Sequence, residues 1–459
     1  MSIEQQPSSD GIYMERWERA FDTIVTPFEE FVHRQTSGSI VLGLVAICAL
    51  VLANSPLAAA YIHFLHMEAG IDFAGFSFQK SIHHWINDGL MAIFFFVVGL
   101  ELKREFLVGE LANPKNAALP IFAALGGMIV PALVYLAFNP TGVEAKGWGI
   151  PMATDIAFAI GALALLGGKV PRALLTFMIA LAIVDDLGAV LVIALFYSDT
   201  IALGPLLVSG FLFLTLLTMK YAGVRQPTPF FAVAVFLWAA LLESGVHATV
   251  AGILGAFTIP VRPKYDSKRF SLYMRELMDK FDAAYLQNPN ILTNTDLRAI
   301  IQTLESGVKW VQAPLQQLER KWHMPVAYFI LPAFAFANAG IVIDFEHIAT
   351  SLGGGVTAGV TFGLVLGKTI GIAGASYIAV KVGIARWPKD VNFSHVLGAA
   401  LLGGIGFTMS IFVAELAFQG NPVRLMDAKS GILIGSIISG ALGYLILRYA
   451  CKTGSPPEH

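Results

Sequence analysis

Ala180-Leu-Ala-Ile-Val-Asp185-Asp186-Leu-Gly-Ala-Val-Leu-Val-Ile-Ala194 sets two adjacent acids inside an otherwise apolar run. No other charged residue occurs between Ala173 and Ser198. A bilayer-crossing helix over this run places the pair near mid-membrane, where each carboxylate costs roughly 2.5–3.5 kcal/mol on insertion scales. Two acids held at that cost mark a place where a cation or protons bind. Neighbours on a helix diverge by about 100°, so the two carboxylates either flank one cavity or face two environments. Like charges in a dry site titrate as a coupled unit. A bound Na⁺, Li⁺ or proton supplies the missing positive charge, so cation and proton compete for the same oxygens. The alternative is one acid neutralised by a lysine and the other by a backbone cap.

The rest of the chain fits that setting. Of 459 residues, 56% are hydrophobic and 14% are charged, where a soluble domain carries about 25% charged residues; mean hydropathy is +0.68. The expected fold is an all-α polytopic membrane protein. Apolar runs of bilayer length fall at 38–54, 86–101, 117–138, 148–167, 173–197, 203–219, 229–242, 246–260, 324–343, 353–380, 395–418 and 428–450, which gives twelve transmembrane helices. The expected division is a cytoplasmic segment 1–37, spans 1–8 over 38–261, a cytoplasmic insertion 262–322, spans 9–12 over 323–450 and a tail 451–459. With both termini on one side, 25 Lys and Arg fall in same-side segments and 3 in opposite-side loops. That bias places both termini in the cytoplasm. The polar start of the chain has no basic region followed by an apolar core, so no cleaved signal peptide is expected. Two cysteines, Cys48 and Cys451, exclude a disulfide framework.

Further motifs surround the acids. Thr154 and Asp155, ahead of Ile-Ala-Phe-Ala-Ile160, read as a helix start inside the span that begins near Trp148. That reads as a helix broken within the membrane, or as a cap at the membrane surface. Lys368 lies in an apolar run and needs a carboxylate, with Asp155, Asp185 and Asp186 as candidates, unless it snorkels to an interface. Gly403, Gly404 and Gly406, with Thr408 and Ser410, point to a second interrupted span or to close packing of small residues. Interruptions in both halves suggest inverted repeats, spans 3–5 against spans 10–12. Glu101, Glu105, His247 and Glu319 sit near span ends, where flanking anchors and pH-responsive groups look alike. His83 and His84 read as plain loop residues near the outer surface. Ile71–Phe78 alternates around Gly75 as a small outer hairpin. Within the insertion, apolar positions from Leu297 to Leu318 repeat at helical spacing as one surface amphipathic helix, capped by Asp296 or a preceding Thr.

Val98-Gly-Leu-Glu-Leu-Lys-Arg-Glu105, Ala153-Thr-Asp-Ile-Ala-Phe-Ala159, Ala182-Ile-Val-Asp-Asp-Leu-Gly188, Ser244-Gly-Val-His-Ala-Thr249, Leu331-Pro-Ala-Phe-Ala-Phe-Ala-Asn-Ala-Gly340, Gly367-Lys368 and Gly403-Gly-Ile-Gly-Phe-Thr-Met-Ser410 occur in order between about residues 36 and 450. Together they closely resemble the NhaA-type sodium/proton antiporters, a family that serves as a general example of inverted repeats with broken helices. The resemblance implies two discontinuous helices crossing at mid-membrane. It implies Na⁺ at Asp186 and Asp185, with Asp186 the principal carboxylate, and Lys368 as the ammonium that pairs with Asp185 when sodium is absent. Asp155 and Thr154 become the broken-helix residues beside the site, with Asp155 compensating charge. Glu101, Glu105, His247 and Glu319 become pH-linked positions, and the outer hairpin over 70–81 a homodimer contact. The insertion 264–316 departs from the short loop usual in the family.

The expected function is therefore electrogenic exchange of intracellular Na⁺ or Li⁺ for external protons, serving pH and sodium homeostasis in a bacterial inner membrane. Two protonatable carboxylates suggest two protons per cation. No cofactor and no nucleic acid enter; the partners are the transported ions and the lipid bilayer. A coupled transporter of a small organic solute would want a larger polar cavity, and an ion channel would not need occluded acids with a counter-lysine. An enzyme is disfavoured, since the chain has no P-loop, no HExxH and no nucleophile elbow.

Overall fold

The structure is a computed structural model that describes residues 35–73, 76–198, 201–263, 266–342 and 355–453. The N-terminal segment, Gly75 and most of the C-terminal tail lie outside the described residues. Helices dominate because the apolar runs can satisfy their backbone only internally in lipid. Among the described residues eight helices are long and apolar enough to cross a membrane, or up to ten if each of two bent pairs counts as one span. The chain is a multi-pass membrane protein.

The first bent pair is α1 (Gln35–Ala53) and α2 (Ala58–His66), which turn on each other by 112°. A two-stranded antiparallel hairpin follows, β1 (Glu68–Phe73) with β2 (Phe76–Ser81), and Ile71 pairs with Phe78. Strand β2 runs straight into α3 (Ile82–Val108), where Ser81 accepts from the His84 amide as an N-cap. His83 and His84 are therefore helical and half-buried, unlike the loop placement expected from sequence.

Helix α4 (Pro114–Phe138) leads to a 3-10 stretch, Glu144–Met152, and then to α5 (Ile156–Ala164). Helices α6 (Arg172–Phe196), α7 (Leu203–Tyr221), α8 (Pro227–Ser244) and the short α9 (Val250–Thr258) complete the first part. The C-terminal carbonyls of α9 are met by a buried lysine: Lys103 donates to Phe257 O at 2.7 Å and to Ile259 O. A cation at a helix C-terminus offsets the negative end of the dipole.

The insertion is a helical pair followed by a break, and not one amphipathic helix. Helix α10 (Ser267–Gln287) packs against α11 (Thr295–Val311), with Gly307 against Met274 and Phe270. Asn294 caps α11 by accepting from the Asp296 and Leu297 amides, where Asp296 or a threonine was expected. The chain then breaks at Gln312–Ala313 and restarts as α12 at Pro314, which suits the first turn of a helix. Helix α12 (Pro314–Pro325) passes through a π-helical turn, Val326–Ile330, into α13 (Leu331–Asn338). The expected span at 246–260 is thus filled by the short α9, and that at 324–343 by the last part of the continuous helical run Pro314–Asn338; neither is among the eight.

Helix α14 (Gly355–Lys381) is the most buried span and α7 the least, so α14 is central and α7 peripheral. The second bent pair is α15 (Phe393–Gly403) with α16 (Phe407–Ala417), at 46°; α17 (Pro422–Thr453) ends the described chain. Helices α4 and α14 approach closely where Gly126 faces Gly371. A Cβ on either glycine would strike the other's backbone carbonyl. Beside that contact Gly127 faces Ile372 and the Lys368 stem, with its would-be Cβ 3.7 Å from Lys368 Cδ.

Candidate ion-binding site

The deep site is built where two chain breaks meet. At the first, the backbone leaves the helical region over Ala153–Asp155 and restarts at Ile156. At the second, α15 ends at Gly403 and α16 begins at Phe407. The freed backbone groups satisfy one another, as a dry interior requires. The Asp155 amide donates to Ile405 O at 2.7 Å, and Thr154 Oγ1 donates to Gly403 O at 2.8 Å. Ser410 Oγ donates to Ile150 O at 2.8 Å, which ties α16 back to the 3-10 stretch. From α17, Ser439 Oγ donates to Leu401 O at 2.8 Å, and Ser436 Oγ accepts from the Gly406 and Phe407 amides at 3.3 Å each. Gly404 has to be a glycine here, because a Cβ would meet Leu364 O and Ser439 Oγ. Gly403 lies against Ile372 and Gly406 against Ser410.

One carboxylate serves both restarts. Asp155 is 2% exposed, and its Oδ1 accepts from the Phe158 amide of α5 at 3.2 Å. Its Oδ2 accepts from the Thr408 amide at 3.0 Å and from Thr408 Oγ1 at 2.5 Å, on α16. A negative charge at two helix N-termini is stabilised by both sets of free N–H groups.

Asp185 and Asp186 lie in the middle of α6 and are both buried. Lys368, fully buried on α14, reaches Asp185 alone among the three candidate acids, with Nζ 2.5 Å from Oδ2. A π-helical turn, Gly363–Gly367, directly precedes Lys368. Thr154 lies against Asp185. Asp186 points elsewhere. It lines a cavity of about 400 Å³ whose other lining includes Glu101, Arg104, Glu319 and His323, at the end of the molecule where α3 and α12 meet the insertion. Among the described residues Asp186 is in no ion pair. The adjacent acids therefore divide: one is locked to an ammonium and the other faces a water-sized path to the surface.

At the mouth of that path, Arg104 Nε is 3.3 Å from Glu319 Oε1, and its NH2 nitrogen is 3.1 Å from Glu105 Oε1. Glu105 also accepts from the Glu110 amide at 3.1 Å. Burial holds the Glu319 carboxyl above the ordinary glutamate range, opposed by Arg104 and His323 and aided by Glu105. Glu101, Glu105 and Glu319 are thus one cluster. His247 is not part of it: its Nε2 lies 2.6 Å from Tyr197 O, at the opposite end of the spans.

At that opposite end, the hairpin end, the structure assembles a set that sequence reading passed over. Lys429 Nζ of α17 is 2.6 Å from Glu415 Oε1 of α16, and His83 Nε2 of α3 is 3.9 Å from the same oxygen. On α16, between Thr408 and Glu415, Phe412 packs with two other buried rings, at 5.6 Å from Phe95 and 6.0 Å from Phe334. Lys429 sits at the start of a span and Glu415 near the end of another. A lysine and an acid at neighbouring span ends were the only sequence signal for the pair.

The family model described as Na⁺/H⁺ antiporter 1 matches residues 29–447. The Na⁺/H⁺ antiporter NhaA 1 of Saccharophagus degradans is 51% identical over 434 residues, covering 95% of this chain and 94% of that protein. The Na⁺/H⁺ antiporter NhaA of Sulfurimonas denitrificans is 49% identical over 439 residues, covering 96% and 99%. That of Acidithiobacillus ferrooxidans is 49% identical over 440 residues, covering 95% and 100%.

Proposed function

The chain belongs to the Na⁺/H⁺ antiporter 1 family, and from that premise we propose which of its groups carry out the exchange. It is a sodium/proton antiporter. Asp186 is the principal carboxylate for Na⁺ or Li⁺, and Asp185 joins it once Lys368 lets go. The observation that carries this reading is the division of the acids, with Asp185 tied to Lys368 at 2.5 Å and Asp186 at the end of the cavity.

A sodium ion and a proton bring the same charge to the same oxygens, so each excludes the other. Sodium arriving through the cavity pairs with Asp186, displaces Lys368 from Asp185 and gains both carboxylates. Protons arriving from the far side restore the sodium-free state. Two carboxylates discharged per cation give two protons in for one cation out, which makes the exchange electrogenic. Asp155 and Thr408 keep the two breaks joined while the site changes sides.

The remaining architecture follows the same reading. Twelve spans result if α9 and the helical run Pro314–Asn338 each complete a crossing. Spans 3–5 and 10–12 then form inverted repeats, and the breaks at Ala153–Asp155 and at 404–406 are two discontinuous helices crossing at mid-membrane. The end bearing the insertion, Glu101, Glu105 and Glu319 is cytoplasmic together with both termini, and the hairpin end is external. The membrane is the bacterial inner membrane, and the hairpin over 70–81 is a dimer contact. A solute transporter is disfavoured because the cavity at Asp186 is small, about 400 Å³, and Ile156, Ile160, Ile179 and Ile183 take up much of its lining.

The test is Na⁺-driven proton movement in proteoliposomes of the wild type and Asp186→Asn. The expected outcome is loss of exchange by more than about 100-fold, as befits removal of a group that binds the transported ion. Full exchange in Asp186→Asn sinks the assignment.

A further inference from the structure

His83 is held in one tautomer by its neighbours. Asn338, 1% exposed at the end of α13, donates through Nδ2 to Phe334 O at 3.0 Å and to Asn87 Oδ1 at 2.8 Å. Its Oδ1 therefore faces His83 Nε2 at 3.1 Å as an acceptor, and Nε2 carries the hydrogen. The lone pair of the neutral ring is on Nδ1. The groups of opposite and like charge around the ring come from every element packed on it. Glu415 faces it from α16, Lys429 from α17 and His66 from α2, whose ring stacks at 6.4 Å. On its own helix Asp88 is near, and Asp88 is paired with His84 at 3.2 Å. The side chains of His83, Glu415 and Lys429 are 27%, 14% and 12% exposed, so none of them is sealed in the core.

Helix α16 links this cluster to the deep site. Thr408 holds Asp155, Phe412 contributes to the layer of rings one turn on, and Glu415 lies a further turn out. At 1.5 Å per residue, Glu415 stands only about 10 Å along the axis from Thr408. An acid shared by a lysine and a histidine, at the water-accessible end of the helix that carries the site, is poorly explained as an anchor.

We infer that His83 and Glu415 form an outer proton-exchange station, at which external protons are held before they enter the path to Asp185 and Asp186. The inference rests on the exchange reading above. The step balances in charge: His83 takes one proton from outer water at Nδ1 and becomes an imidazolium beside Glu415. Release of that same proton from Nδ1 to Glu415 by way of water, since ring and carboxylate stand 3.9 Å apart, returns the neutral ring in its Nε2–H tautomer and a neutral carboxyl, and Lys429 loses its partner. Asn338 keeps the ring turned toward Glu415 and is a positioning residue.

The experiment uses the full chain in right-side-out membrane vesicles, with the inner pH clamped and the outer pH varied, reading ²²Na⁺ efflux. His83→Gln keeps an amide donor for Asn338 and removes the titrating ring; Glu415→Gln removes the carboxylate. Both are expected to move the midpoint of the outer-pH dependence by at least about half a unit, as loss of a close charged neighbour does. The half-saturating Na⁺ concentration at the inner side is expected to stay within about twofold, since the inner mouth and Asp186 are untouched. If Glu415→Gln does not accumulate, the charge-balanced double variant Glu415→Gln/Lys429→Met takes its place. An unchanged outer-pH midpoint in both variants overturns the inference, and so does an equal change at the inner side. Absence of any Na⁺-coupled proton movement in the wild type would instead sink the exchange reading.

Discussion

Lys368 with Asp185 and Lys429 with Glu415 are the same chemistry in two different solvents. The nitrogen–oxygen separations are 2.5 and 2.6 Å. The first pair is 1–2% exposed between two central spans, and the second is 12–14% exposed at the hairpin end. Water reaches the outer pair in part and can take up some of a lost partner's role, so breaking it costs less than breaking the deep pair. Nothing replaces a partner in the deep pair except another cation. What the difference teaches is that a lysine–carboxylate contact becomes a substrate switch only when burial forbids every other neutraliser.

The comparison breaks most readily at the lysines. Lys368→Met leaves Asp185 charged and unpaired, and is expected to cost about 3–5 kcal/mol of stability. Lys429→Met leaves a carboxylate that water partly reaches, and is expected to cost less, about 1–3 kcal/mol. Thermal unfolding of both purified variants in one detergent decides the matter, and equal losses would remove the distinction between the pairs. A smaller effect sharpens it. Asp155 is a buried acid held by hydrogen-bond donors and no lysine. Thr408→Val deletes the hydroxyl donor and is expected to cost about 1.5–3 kcal/mol, the range for a hydrogen bond to a charged group. Retention of wild-type stability would mean that the backbone amides suffice for Asp155.

The smallest effect belongs to Glu319, a half-buried acid at the cavity mouth. Burial raises its carboxyl above the usual range. As pH rises through that raised range, the folded protein must charge a group that the unfolded chain has already ionised, so stability is lost with rising pH. Glu319→Gln should flatten this decline between mildly acidic and neutral pH, read as the change in unfolding temperature across that interval. A slope identical to wild type would show that Arg104 and His323 neutralise Glu319 fully.

Some of this was legible in the residues. Asp185 and Asp186 declare themselves because their cost in an apolar run is local and additive. Thr154-Asp155 before an apolar run declares a helix start, and Asp155 is the N-cap of α5. From its own surroundings Lys368 was narrowed to three acids, and only the resemblance singled out Asp185; the pairing itself is a contact between residues 183 positions apart, on α6 and α14. The histidines at 83 and 84 were misread as loop, because β2 passes into α3 without a linker. The insertion was misread as one helix because apolar spacing runs unbroken across Gln312–Ala313, and Pro314 is as good a helix start as a break. Ser436 and Ser439 were invisible: in sequence they are small residues in an apolar span, and only the neighbouring break gives them partners.

By itself the sequence determined that this chain lives in a membrane and must hold charge inside it. Hydropathy, loop charge and the price of a buried acid are properties of short segments, and they survive any rearrangement of the helices. Only the tertiary structure decided which acid meets Lys368, that one carboxylate caps two helix starts, and that Asp186 faces an open path. Those facts depend on side chains more than a hundred residues apart meeting within 3 Å. Such meetings are fixed by close helix contacts, such as Gly126 on Gly371, whose geometry no local pattern encodes.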